Sequence, residues 1–179
     1  MCSLRVGVGD ITKVRDVDVI VNAANGIGVL GAGVAGALAA SGGDALRQAA
    51  RDYCKEHGPI KAGLCYNTDA GLLKRRGVKE IYHAVTMEFP GQTSSIEVIT
   101  SALRAVLTMA VINGVQSIAI PGLGTGIGGI DKTTAAQRMA VIIEPYRGQL
   151  NIIVADRNQE FITAFKKALK IESESWENT

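Results

Sequence analysis

Val17-Asp18-Val19-Ile20-Val21-Asn22-Ala23-Ala24-Asn25, followed after a short turn by Gly31-Ala32-Gly33-Val34-Ala35-Gly36, is an apolar run that opens into a glycine-rich loop. The same order recurs at Ser117-Ile118-Ala119-Ile120-Pro121 and Gly124-Thr125-Gly126-Ile127-Gly128-Gly129. Val17–Val21 and Ser117–Pro121 read as buried strands, and each loop leads toward a stretch rich in helix formers. A strand, glycine loop and helix in succession leave backbone N–H groups free where the helix dipole favours an anion. Glycine lets those groups approach a phosphate with no Cβ in the way. One such loop is a weak signal, since G-x-G-x-x-G strings arise by chance. Two in one small chain point to a pair of loops gripping one diphosphate.

Outward from these loops, candidate strands fall at Leu4–Val8, Val17–Asn22, Gly63–Asn67, Lys79–Ala84, Ser117–Pro121 and Leu150–Val154. Helical patterns lie between them at Val34–Ser41, Asp44–Glu56, Ile96–Asn113, Thr133–Glu144 and Gln159–Leu169. Within Ile96–Asn113, the residues Ile99, Leu103, Val106, Leu107 and Ala110 recur at helical spacing, and Asn113-Gly114 is a stop signal. Alternating strands and helices predict an α/β fold, a three-layer α/β/α sandwich around a largely parallel sheet. A single domain is expected over residues 1–171, with a polar, frayed tail over 172–179 that carries Trp176.

The composition agrees. The 179 residues are 47% hydrophobic and 20% charged, enough for one sizeable core. Aromatic residues make up only 4%, so Val, Ile, Leu and Ala must build that core, as in a buried parallel sheet. A net charge of +2 makes no case for nucleic acid as a partner, and the basic cluster Lys74-Arg75-Arg76 reads as a solvated loop. Val19–Gly43 carries no charge, but Asn22, Asn25 and repeated glycines break it, so no membrane partner is expected. The chain opens on a strand-like run rather than a signal peptide, and its three cysteines have no metal-like spacing. A reducing, cytoplasmic location follows as the expectation, with no metal and no cofactor.

A Rossmann dinucleotide fold is the obvious rival. It needs an acidic residue about 20 positions beyond the glycines, at the end of the next strand. The acids near that distance, Asp52 and Glu56, lie inside a helical pattern, where neither can reach a ribose at a strand end. No G-x-x-x-x-G-K-[ST] string is present either. Four ordered motifs fit something else: Gly9-Asp10-Ile11-Thr12, Val21-Asn22-Ala23-Ala24-Asn25, Gly31-Ala32-Gly33-Val34-Ala35, and Pro121-Gly122-Leu123-Gly124-Thr125-Gly126-Ile127. Together with His83 and the final Asp156-Arg157, they resemble the successive motifs of macro domains across nearly the whole chain. The resemblance implies a mixed central sheet flanked by helices and a cleft for ADP-ribose or an ADP-ribosylated substrate.

On that resemblance, Asp10 accepts a hydrogen bond from the adenine amino group, although Asp10-Ile11-Thr12 also suits an N-capped turn. Ile11 supplies a backbone N–H and an apolar wall. Asn25 resembles the residue that holds the distal ribose, since an amide can donate and accept at once toward a diol. It is therefore the candidate catalytic residue. Asn22 is expected to tie the loop to the strand end, and a hydrogen-bonded turn is the plainer reading of both asparagines. Gly31, Ala32, Gly33, Val34 and Ala35, with Gly124, Thr125, Gly126, Ile127 and Gly128, are expected to surround the phosphates. His83, Cys54 and Cys65 read as core residues.

The chain also departs from the family. Ala35 stands where some hydrolytic members carry Asp, and Met87 where another branch carries Lys. Gly128 and Ala155 replace aromatic residues that pack on the distal ribose and the adenine. The resemblance thus implies ADP-ribose binding, with slow hydrolysis of ADP-ribosyl esters as the leading activity. A non-catalytic reader module is the alternative. The oligomeric state is left open.

Overall fold

In a computed structural model, residues 2–171 of the chain are described. The strands are β1 (Leu4–Val8), β2 (Val19–Asn25), β3 (Cys65–Asp69), β4 (Glu80–Met87), β5 (Ser117–Ile120) and β6 (Asn151–Asp156). The helices are α1 (Gly33–His57), α2 (Ile96–Ile112), α3 (Lys132–Ile143) and α4 (Gln159–Ala168). One sheet holds all six strands in the order β1-β6-β5-β2-β4-β3. Every neighbouring pair is parallel except β3 with β4. The expected α/β/α sandwich with a mixed, largely parallel sheet is what forms.

Alternation along the strands divides the core into two layers. Val19 and Val21 of β2, with Ile152 and Val154 of β6, pack toward α2, α3 and α4. Ile20, Ile153 and Ala155 face the other way, toward α1 and the short turns beside it. Both faces of the central strands are therefore buried, which explains why they read as continuous apolar runs. Each such side chain taken from water contributes about 1.5–3 kcal/mol.

α1 is broken at Gly43, whose φ of 75° and ψ of −170° lie outside the helical region. The two halves match the separate patterns Val34–Ser41 and Asp44–Glu56. α1 then leads to β3, an antiparallel edge strand separated from β2 by β4. This removes the Rossmann alternative, because there the strand after the glycine-loop helix runs parallel beside the first.

Three local expectations need correction. β2 and β4 run on to Asn25 and Met87, three residues past the ends read at Asn22 and Ala84, because the parallel pairing continues through Ala24 with Val85 and Asn25 with Met87. β3 begins at Cys65 rather than Gly63, whose φ of 91° belongs to a turn. Lys74-Arg75-Arg76 is solvent-exposed at Lys74 and Arg75 as expected, but it ends a 3₁₀ turn spanning Gly71–Arg76 rather than lying in a loop. There Lys74 pairs with Asp69, and Arg76 donates to the Thr12 carbonyl. The tail and Trp176 lie outside the described residues.

Candidate functional site

A cavity of about 660 Å³ opens where the parallel strands end. Ligands of open α/β sheets collect at these carboxyl ends because loops, not strands, line them. Strand order fixes the sequence of groups along the cleft. At one end lie the exits of β1 and β6, with Asp10, Ile11 and Arg157. The two glycine loops follow, and the exits of β2 and β4, with Asn25 and Met87, form the other end.

At the β1/β6 end, Asp10 caps a 3₁₀ turn over Ile11–Lys13. Its Oδ1 accepts from the Thr12 N–H at 2.9 Å and from the Thr12 hydroxyl at 2.7 Å. Its Oδ2 accepts from Arg157 Nη2 at 2.6 Å. Burial opposes the charged carboxylate, but the bonds from Thr12 and Arg157 outweigh it and hold the group below its ordinary pKa. The N-cap reading is thus realised, and the carboxylate still lines the cleft. Asp156 also lines the cleft and braces it: its Oδ2 accepts from Gly122 N and its Oδ1 from Asn158 N, joining the β5 and β6 exits.

The middle of the cleft is backbone. Ala32 is the N-cap of α1 and offers no side-chain acceptor, so the N–H groups of the first turn at Gly33, Val34 and Ala35 stay open. The second loop differs from expectation. It does not run straight into a helix: α3 starts only at Lys132, and Asp131 caps it through a bond from Thr134 N at 2.8 Å. Gly124–Gly129 is instead a free-standing loop, closed by Gly129 N to Gly126 O at 3.0 Å and Ile130 N to Gly124 O at 3.0 Å. Ser94 N, bonded to Gly128 O at 2.9 Å, ties it to the loop after β4.

At the β2/β4 end the loop-tying role expected of Asn22 falls to Asn25, which also lines the cleft. Asn25 is the one that ties the loop down: its Nδ2 donates to Val29 O at 2.7 Å, and its Oδ1 accepts from Val29 N at 3.1 Å and Ile27 N at 3.3 Å. Both acceptor directions are therefore taken, and donation through the second Nδ2 proton is what the side chain has left for a ligand. Asn22 is buried and donates across the sheet to His83 Nδ1 at 3.1 Å. His83 Nε2 donates to Thr68 Oγ1 at 2.9 Å, and Tyr66 stacks on the ring with centroids 4.4 Å apart. Complete burial lowers the His83 pKa to about 3. His83 is thus a satisfied neutral core residue, as read from the sequence. Cys54 is also buried, and burial raises the half-buried Cys65 thiol to about 11.

The comparisons with known proteins come from outside this geometry and agree with it. The Macro domain family matches residues 21–139. A protein of Aquifex aeolicus without an assigned function is 39% identical over 168 residues, 93% of this chain and 97% of its own. A Cronobacter sakazakii protein named O-acetyl-ADP-ribose deacetylase is 39% identical over 130 residues, covering 72% of this chain and 70% of that one. Among solved structures, a mutant of the Oceanobacillus iheyensis macrodomain with ADPR superposes with a TM-score of 0.80 at 26% identity, covering 93% and 91% of the two chains. The chain belongs to the Macro domain family.

In this macro domain every ligand-binding residue anticipated from the sequence lines the one cleft: Asp10, Ile11, Asn25, Gly31–Ala35 and Gly124–Gly128. Sequence reasoning missed Lys132, Thr86, Pro90 and Gly91, which line it too, and gave Arg157, noted with Asp156 as a closing motif, no role in the cleft. A cation shortly after the second glycine loop was a usable signal for Lys132. Nothing local marks the pairing of Arg157, whose partner Asp10 is 147 residues away. The two acids of the cleft, Asp10 and Asp156, both stand at its β1/β6 end. At the β2/β4 end Ala35 and Met87 leave no general base.

Proposed function

We propose that this macro domain binds ADP-ribose, free or as an ADP-ribosyl group. The observation that carries the reading is the order of groups along the cleft: a carboxylate acceptor, then two loops of open backbone N–H groups, then an amide donor. That order matches adenine, diphosphate and distal ribose in turn. Lys132 adds a positive charge beside a dianionic diphosphate. The ADPR-bound Oceanobacillus neighbour supports the same ligand. Calorimetry with ADP-ribose, AMP and NAD tests it. A micromolar dissociation constant, about 8 kcal/mol, is expected for ADP-ribose. Weaker binding of NAD follows if the cleft closes around the distal ribose. Folded protein that ignores ADP-ribose refutes the assignment.

The proposed activity is slow hydrolysis of ADP-ribosyl esters, on protein carboxylates or in O-acetyl-ADP-ribose. The name of the Cronobacter relative supports this class. Carboxylate esters at an anomeric carbon have good leaving groups, so fixing the ribose against a water supplies most of what the reaction needs. A reader role is favoured by one observation, the lack of a free base beside Asn25. Release of ADP-ribose from glutamate-linked protein and from O-acetyl-ADP-ribose, at saturating enzyme, decides between them. Turnover above the no-enzyme rate, unchanged by chelator, is expected; none from either substrate leaves the reader.

A further inference from the structure

The β1/β6 end of the cleft must take the base if the ADP-ribose reading holds, yet among the described residues no aromatic ring lines any part of the cavity. A flat purine lowered into it meets Ala155 and Ile11, small or aliphatic groups, and no π-surface. The planar group that is present is a cation. Arg157 follows β6 two residues beyond Ala155, and so leaves the strand on the side of the cleft floor. Its Nη2 meets Asp10 Oδ2 at 2.6 Å, closing a bridge from the exit of β6 to the exit of β1. The Arg157 side chain nevertheless keeps 71% of its surface exposed. One edge of the guanidinium is committed to the carboxylate, and no aromatic ring stacks on it among the described residues.

We propose that Arg157 is the stacking platform for the adenine, held flat against the base by its ion pair with Asp10. A guanidinium stacks on aromatic planes and is weakly hydrated for a cation, so covering its face with a base costs little. The same Asp10 oxygen that orients Arg157 keeps a second lone pair for the exocyclic amine. Base and platform are thereby set relative to each other by one carboxylate. This inference rests on the ADP-ribose reading of the cleft. It goes beyond it in naming the group that reads the base by its face.

The test separates a plane from a charge. Arg157→Lys keeps the charge and can still pair with Asp10 but has no plane; Arg157→Ala has neither; Arg157→Tyr has a plane without the charge. Dissociation constants for ADP-ribose are measured for each at low and high salt, with melting temperatures to confirm folding. Stacking predicts that Lys and Ala both weaken binding about tenfold, that Tyr recovers most of it, and that the losses persist in high salt. Wild-type affinity in Arg157→Lys, or a loss that vanishes in salt, overturns the proposal and makes Arg157 a charge that steers the diphosphate. Folded wild-type protein that fails to bind ADP-ribose overturns the reading of the cleft itself, and this proposal with it.

Discussion

Asn25 has a structural role in the turn, and the proposed function gives it a second one toward the ribose. Its three hydrogen bonds to residues 27 and 29 shape the turn that leads into the first glycine loop. Asn25→Ala removes them and leaves the Val29 carbonyl and amide unpaired, at a cost of about 1–3 kcal/mol. If the esterase reading holds, kcat should also fall on the order of 10²-fold, since a slackened turn misplaces the ribose. Denaturant midpoints and single-turnover rates on the same protein check both outcomes. Asp10→Ala is expected to weaken ADP-ribose more than ribose-5-phosphate, with about 1 kcal/mol of lost capping besides. Equal losses for the two ligands would place Asp10 away from the base. The identities of these residues were legible in the sequence, but the division of labour between Asn22 and Asn25 was not. It depends on β2 running through Asn25 and on a bulge between Ala24 and Asn25, which changes the side to which the next residue points. Nothing in the local sequence marks that bulge.

At the scale of the element, the second loop separates glycines that make its shape from one that keeps it open. Gly124 sits at φ 73°, and a Cβ there would stand 2.7 Å from both Ile130 Cδ1 and Ile99 Cγ2. A Cβ on Gly128 would stand 2.7 Å from the Gly124 carbonyl oxygen. The aromatic residue that other members carry at Gly128 therefore cannot be accommodated without remaking this loop. A Cβ on Gly126 meets nothing within 4 Å. Gly126→Ala should leave the melting temperature unchanged while weakening ADP-ribose, because the added methyl group stands in the cleft. Gly128→Ala should lower the melting temperature. Thermal unfolding with calorimetry distinguishes the two, and equal melting temperatures would contradict this division. The loops themselves were readable because glycine spacing is a local signal. Their relation to the helices was only half readable: α1 begins within its loop at Gly33, whereas α3 waits for the Asp131 cap. Gly43 likewise breaks α1 where two separate helical patterns were seen, since φ there is 75°.

For the whole molecule, the site lies at the carboxyl ends of the strands while the polar network of Asn22, His83 and Thr68 is buried within the sheet, and this gives acid sensitivity a source apart from the cleft. The folded protein holds His83 neutral down to about pH 3, because burial penalises the imidazolium and no acid faces the ring to compensate. The unfolded chain takes up that proton near pH 6.5. Below that value the unfolded state binds the extra proton, so this contribution to stability is complete above about pH 6.5 and declines as pH falls toward 3. The slope is about 1.4 kcal/mol per pH unit for one group, or about 2 kcal/mol between pH 6.5 and pH 5. His83→Phe keeps a planar ring to stack on Tyr66 but leaves Asn22 and Thr68 without their partner. It should therefore be less stable at pH 7, and its stability should fall less steeply on acidification than that of the wild type. Urea unfolding at pH 7 and pH 5 measures both slopes. Parallel slopes would mean that another group carries the acid sensitivity and that burial at His83 is relieved before the chain unfolds.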